Sequence, residues 1–156
     1  MRISQQIFPR VVAIITTISK EGRPNAMTAS FLMPISFNPK YIAVSISPKR
    51  YTFKLLREIP EFGVNILEKR QKEMAWLCGT TSGRNIDKFK EFNIKIIKSE
   101  TIKPPLIDCP ISFECVLEFM KEFGDHYIVV GKVVKEHVRK RLFEPLLHYW
   151  GDKFNC

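Results

Sequence analysis

Two extended runs joined by turn chemistry constrain this chain more than any other feature of it. Val11-Val12-Ala13-Ile14-Ile15-Thr16-Thr17-Ile18 is dominated by β-branched residues, which lose side-chain freedom in a helix and pack well on a pleated surface. Ser19-Lys20-Glu21-Gly22-Arg23-Pro24-Asn25 supplies a turn, and Ala26 to Ile35 again reads as extended. The pair predicts a β-hairpin. Its second half opens unusually, with an amide, hydroxyls and small residues in Asn25-Ala26-Met27-Thr28-Ala29-Ser30-Phe31. A strand that only filled a core would carry Val, Ile or Leu there. Small side chains let a flat ligand approach the backbone, and the amide and hydroxyls can bond its edge.

Further along, Tyr41 to Ser47 reads as a third strand that ends in hydroxyls. Pro48-Lys49-Arg50-Tyr51 makes a turn, Thr52 is placed to cap a helix running through Glu58, and Pro60 stops that helix. Phe62 to Leu67 reads as a buried strand and Glu68 to Leu77 as a helix, with Met74 and Leu77 on one face. After the Gly79–Arg84 loop a short helix is predicted from Ile86 to Phe92, ended by Asn93. Ile94 to Ile97 and the Pro104-Pro105 segment read as a connector or edge strand. Ile111, Phe113, Cys115, Leu117 and Phe119 alternate onto one face of another strand, and Gly124-Asp125 turns into a last one from His126 to Val134. The aromatic tail, Pro145 to Phe154, is expected to pack. Strands joined by turns, with few helices, predict a mainly β, antiparallel barrel rather than a βαβ sheet. No internal repeat or linker divides the chain, so residues 1–156 are read as one domain.

Hydrophobic residues at 45% and charged ones at 26% are ordinary for a globular protein. The net charge of +9 would suit an anionic ligand or nucleic acid, but the Lys and Arg residues are scattered. Without an aromatic-basic signature, a nucleic-acid-binding β-barrel remains only a distant alternative. Cys78, Cys109, Cys115 and Cys156 form no C-x-x-C, and no His stands at zinc-ligand spacing, so no metal site is expected. No secretory signal and no membrane-spanning apolar run are apparent; free thiols in a reducing cytoplasm are the expectation.

Three segments carry chemistry. Ser45, Ser47, Lys49, Arg50 and Thr52 gather hydroxyls and cations at a strand-to-helix junction, where free amides and the helix dipole favour a phosphate. Gly79 to Arg84 is rich in Gly and hydroxyls but lacks the Gly-Lys-Ser/Thr ending of a nucleoside-triphosphate loop. Gly124-Asp125-His126 delivers an imidazole at the mouth of a strand, where it can meet a ligand. His137 and His148 have no local partner and are read as structural. No nucleophile triad or carboxylate pair can be assembled, so no catalytic side chain is assigned.

In this order, Val12-Ala13-Ile14-Ile15-Thr16-Thr17, Gly22, Asn25 to Ser30 and Ser45-Ile46-Ser47-Pro48-Lys49-Arg50-Tyr51-Thr52 resemble the flavin reductase-like family of FMN-binding split barrels. Phe62-Gly63-Val64-Asn65, Ser82-Gly83-Arg84, Asp87-Lys88-Phe89, Gly124-Asp125-His126 and Pro145-Leu146-Leu147 continue the resemblance over residues 5 to 154, and it is greatest to the flavoredoxin branch. The resemblance implies a six-stranded split barrel, a homodimer, and FMN bound non-covalently near the subunit interface. It implies that Asn25, Met27, Thr28, Ala29, Ser30 and Phe31 line the isoalloxazine. Ser45, Ser47, Arg50 and Thr52 would hold the ribityl phosphate, with Lys88 reaching the same end or the ring. His126 would approach the flavin and Phe154 cover it. Position 31 is often Trp in the family; Phe31 keeps the stacking surface and drops the indole donor. The implied function is an FMN-dependent oxidoreductase taking electrons from NAD(P)H or a redox partner. The alternative is a flavoredoxin-type electron carrier without NAD(P)H activity of its own.

Overall fold

The computed structural model describes residues 1–156. In chain order its strands are β1 (Arg10–Val11), β2 (Ala13–Ile18), β3 (Pro24–Ala29), β4 (Leu32–Phe37) and β5 (Lys40–Ile46), then helix α1 (Tyr51–Glu58) and β6 (Glu61–Ile66). Helices α2 (Lys72–Thr80) and α3 (Lys88–Glu91) follow, then β7 (Ile96–Ile97), β8 (Leu106–Ile107), β9 (Ile111–Phe123), β10 (His126–Val138), β11 (Leu147–Tyr149) and β12 (Lys153–Phe154). Short 3₁₀ turns stand at Ile3–Gln5, Lys69–Gln71 and Trp150–Asp152. No helix is long and apolar enough to cross a membrane.

Every strand pair is antiparallel, and seven strands form one sheet in the order β3-β2-β6-β9-β10-β5-β4. Its two ends, β3 and β4, are halves of the run read as continuous from Ala26 to Ile35. The chain breaks at Ser30-Phe31, so one half pairs with β2 and the other with β5. That kink closes six strand directions into a split barrel. The run Val11 to Ile18 is interrupted too: Val12 separates β1, which pairs with β11, from β2.

Two apolar clusters follow from the alternation along β2. Ala13 and Ile15 point into the barrel with Met27, Val44, Phe62 and Val129, and α1 plugs that interior with Phe53 and Leu56. Each buried Ile, Leu, Val, Met or Phe side chain there contributes roughly 1.5–3 kcal/mol. Val12 and Ile14 point outward, against Ala75 and Cys78 of α2, Phe89 of α3, and Leu146. β2 is therefore buried on both faces, which is why its sequence lacks a polar alternate row.

Other expectations need correction. Thr52 does not cap α1: Arg50 occupies the N-cap position, and Thr52 lies inside the first turn, buried. The predicted alternation of β9 holds only to Leu117. Glu118 is an extra residue opposite the Val130–Gly131 step, and the bulge turns Met120 inward and leaves Phe119 half exposed. Gly131 is needed there, since a Cβ would stand 2.4 Å from the buried ring of Phe62. The helix read from Ile86 shortens to α3, capped by Asp87, whose carboxylate accepts from the amides of Phe89 and Lys90.

Candidate functional site

The Ser30-Phe31 kink and the start of α1 face each other across a groove of about 160 Å³. One wall is Met27 to Phe31. The carbonyl of Phe31 accepts from the Ser45 amide at 2.8 Å, which ties the kink to the end of β5. Ser45 and Ser47 then line the second wall, and Arg50 follows them, its amide donating to the Ser47 carbonyl at 3.0 Å. His126 joins the lining too, because the β10–β5 register sets Tyr127 opposite Ile46 and so leaves His126 beside Ser47.

Around Arg50 the groove offers a cation and an open helix start. No side chain caps the first turn of α1 and no acidic residue stands in it, leaving its dipole unopposed. Arg50 itself is exposed. Arg84, which sequence reasoning did not assign, sits nearby with its guanidinium 5.3 Å from the Tyr51 ring.

Two aromatic rings also line the groove. Phe31 stacks on His126 with centroids 5.8 Å apart and planes at 29°. The Nδ1 of His126 meets a carboxylate oxygen of Asp125 at 2.7 Å, so its Nε2 is the nitrogen left for a bound molecule. Thr28 spends its hydroxyl proton on the Ala75 carbonyl at 2.5 Å and keeps only acceptor capacity. A second, apolar hollow of about 360 Å³ shares Ser30, Phe31 and Ser45 with the groove and is walled by Ile3, Ile7, Leu32 and Ile128.

Four of the residues named from the sequence lie elsewhere. Asn25 and Thr52 are buried behind the first wall, where the Asn25 amide donates to the Thr52 hydroxyl at 3.2 Å. Asn25 Oδ1 has no partner in the protein. Lys88 is buried, with its ammonium donating to the carbonyls of Ala26 at 2.7 Å and Cys78 at 2.8 Å; burial lowers its pKa. It clamps β3 to α2 from behind. Phe154 packs on the outer cluster and edge-on to His148, not over the groove.

Sequence reasoning also missed Arg10. Its guanidinium lies 5.3 Å from the Phe31 centroid and bonds the Ser30 hydroxyl. The available signal was a lone cation at the edge of an apolar run with no acidic neighbour in sequence. Two of the buried cysteines are poor nucleophiles: burial pushes Cys78 up to about 11 and Cys115 up to about 12.

The groove's donor set fits FMN: a cation and helix start for a dianionic phosphate, and small residues and aromatics beside a slot for a flat ring. The sequence model of the flavin reductase-like domain matches residues 4–155. The chain belongs to the flavin reductase-like family. It is 32% identical over 132 residues to an uncharacterized protein of Archaeoglobus fulgidus, covering 83% of this chain and 73% of that one. It is 30% identical over 141 residues to a flavin reductase (NADPH) of Lentzea aerocolonigenes, covering 87% and 79%. Among solved structures, an FMN-binding protein from Thermus thermophilus superposes with TM-score 0.86 at 27% identity over 97% of this chain and 88% of that one. The flavoredoxin of Desulfovibrio vulgaris (Miyazaki F) shares the fold, with TM-score 0.87 at 23% identity over 96% and 87%. The antiparallel split barrel is thus the fold of this family.

Proposed function

We propose that this chain is an FMN-binding oxidoreductase that passes electrons from NAD(P)H or a redox partner to flavin or another small acceptor. The observation that carries the reading is the single groove joining the α1 start to the Ser30-Phe31 kink. Arg50, Ser45 and Ser47 would hold the ribityl phosphate. Met27 to Phe31 and His126 would line the ring. Asn25, Thr52 and Lys88 support that wall from behind rather than touching the ligand. Bound FMN supplies hydride acceptance and single-electron transfer, which no side chain here can provide. The side chains only bind, orient and tune. The free thiols suit a reducing cytoplasm.

The test is direct. The purified protein should be yellow, release FMN on denaturation, and oxidise NADH or NADPH with free FMN as acceptor. A colourless protein that takes up no FMN would refute the reading. A yellow one inert to both nicotinamides would make it an electron carrier instead.

A homodimer is part of the proposal. β4 pairs only with β5, and this edge strand exposes Met33 (56%), Ile35 (47%) and Phe37 (96%), an apolar row that a second copy would cover. Light scattering should report twice the chain mass at micromolar concentration. A monomer that still binds FMN tightly would count against this geometry.

His126 should tune the potential. With its ring near the pyrimidine edge of the flavin, a positive imidazole favours the reduced, anionic state by simple attraction. His126→Ala is then expected to lower the two-electron potential near neutral pH by ~30 mV, the equivalent of ~1.4 kcal/mol. Redox titrations of both proteins from about pH 5 to about pH 9 would show it. Superimposable potential–pH curves would place His126 among surface-turn histidines.

A further inference from the structure

Arg10 spends its whole guanidinium on three separate pieces of the chain. One Nη donates to the carbonyls of Ser4, at 2.5 Å, and Ile7. The other meets His148 Nδ1 at 2.6 Å and the Ser30 hydroxyl at 3.3 Å, and Nε reaches that hydroxyl at 3.4 Å. These contacts occupy all five of the N–H groups an arginine carries. None is left for a bound molecule, so Arg10 is not a ligand-binding residue.

The partner nitrogen decides the state of His148. A guanidinium can only donate, so Nδ1 must accept, and the ring proton sits on Nε2. Nε2 in turn donates to Asp152 at 3.0 Å, and Gln5 donates to the other oxygen of that carboxylate at 3.1 Å. Burial first, and the charge of Arg10 second, hold His148 below its ordinary pKa, in keeping with a neutral ring. The pairing is built into the sheet, since Arg10 and His148 are opposite residues of β1 and β11.

What Arg10 holds is the kink. Ser30 and Phe31 are the two residues between β3 and β4, and both face the groove and the apolar hollow beside it. We propose that Arg10, seated on a neutral His148, is a positioning residue that fixes the Ser30-Phe31 kink and with it the Phe31 face of the groove. The inference rests on the flavin reading of that groove. It makes the 3₁₀ turn at Ile3–Gln5 and the Leu147–Asp152 segment parts of the binding apparatus, although neither carries a ligand-binding group.

Three variants test it: Arg10→Lys, His148→Asn and His148→Gln, each checked for native circular dichroism. Asn places an oxygen where Nδ1 stood and keeps an acceptor for Arg10. Gln places its amide near the Nε2 position and leaves Arg10 unpaired. Two quantities are read: amide hydrogen exchange of residues 28–33 in the flavin-free protein, and FMN and riboflavin affinity by fluorescence quenching. Arg10→Lys and His148→Gln should speed exchange at residues 28–33 roughly tenfold, without doing so in β9 and β10. Both should weaken FMN and riboflavin by the same factor, on the order of tenfold, since the effect lies at the ring and not at the phosphate. His148→Asn should stay close to the unmodified protein. A folded Arg10→Lys with unchanged exchange at residues 28–33 would overturn the proposal whatever its flavin affinity. So would a His148→Asn as damaging as His148→Gln. If the unmodified protein binds neither flavin, the flavin reading falls, while the exchange rates still decide whether Arg10 holds the kink.

Discussion

Arg50→Ala is expected to weaken FMN binding by about ten- to hundredfold and to leave the fold intact. The guanidinium is exposed and makes no hydrogen bond within the chain, so folding loses little with it. A charge-assisted hydrogen bond to phosphate contributes ~1.5–3 kcal/mol, and each ~1.4 kcal/mol is a factor of ten in affinity. Riboflavin, which lacks the phosphate, should bind the variant and the unmodified protein about equally. Raising the salt concentration should narrow the FMN difference, because an exposed cation is screened. The measurement is a pair of titrations by quenching of flavin fluorescence. Equal losses for riboflavin and FMN would show that Arg50 does not address the phosphate. The same titrations separate the effect of Arg50 from that of Arg10, whose loss should weaken both flavins together.

The second large effect concerns stability in acid. Glu114 lies on β9 with its side chain fully buried. It accepts from the amides of Glu100 and Thr101, each at 2.7 Å, from the Thr101 hydroxyl, and from His137 Nε2 at 2.8 Å. Burial alone would raise its pKa, but the donors from Glu100, Thr101 and His137 together outweigh it and bring the group down from 4.5 to about 2. A carboxylate depressed on folding stabilises the native state at pH values above its unfolded pKa. That stabilisation is lost as pH falls from about 4.5 towards about 2. The shift corresponds to roughly 3 kcal/mol. Urea midpoints of the unmodified protein should therefore drop steeply across that window. Glu114→Gln should already be about 3 kcal/mol less stable at neutral pH, since donors lose a charged acceptor in a dry site, and its acid limb should be flatter. Parallel pH profiles for the two proteins would dismiss Glu114 as the source.

Much of this was legible in the residues. The β-branched run, its turn and the small-residue strand specify a hairpin wherever they stand, because side-chain shape acts locally. Gly124-Asp125 turns as read, with Gly124 at the positive φ of 61° such a tight hairpin requires. Of the five residues read together at the strand-to-helix junction, Ser45, Ser47 and Arg50 line the groove while Lys49 and Thr52 do not, and Met27 to Phe31 line it because they follow one another. The ordered motifs identified the family, and through it the split barrel.

Partners distant in sequence could not be read. Nothing around Thr52 shows that Asn25 will claim its hydroxyl inside the wall, nor that Lys88 will spend its ammonium on the carbonyls of Ala26 and Cys78. Whether a polar side chain faces a groove or the rear of a strand depends on which face the neighbouring helix covers. The bulge at Glu118 shifts a periodicity that looked continuous, since the Phe62 ring arrives from another strand. Arg10 shows the difference most clearly. Its sequence neighbours offer it no carboxylate, and only the pairing of β1 with β11 brings His148 to it across 138 positions. Strands, turns and the composition of the groove were thus determined locally, by sterics and hydrogen-bonding capacity. Which polar groups remain free to meet a ligand was decided by tertiary packing, because most buried donors are spent on acceptors that the fold supplies from distant parts of the chain.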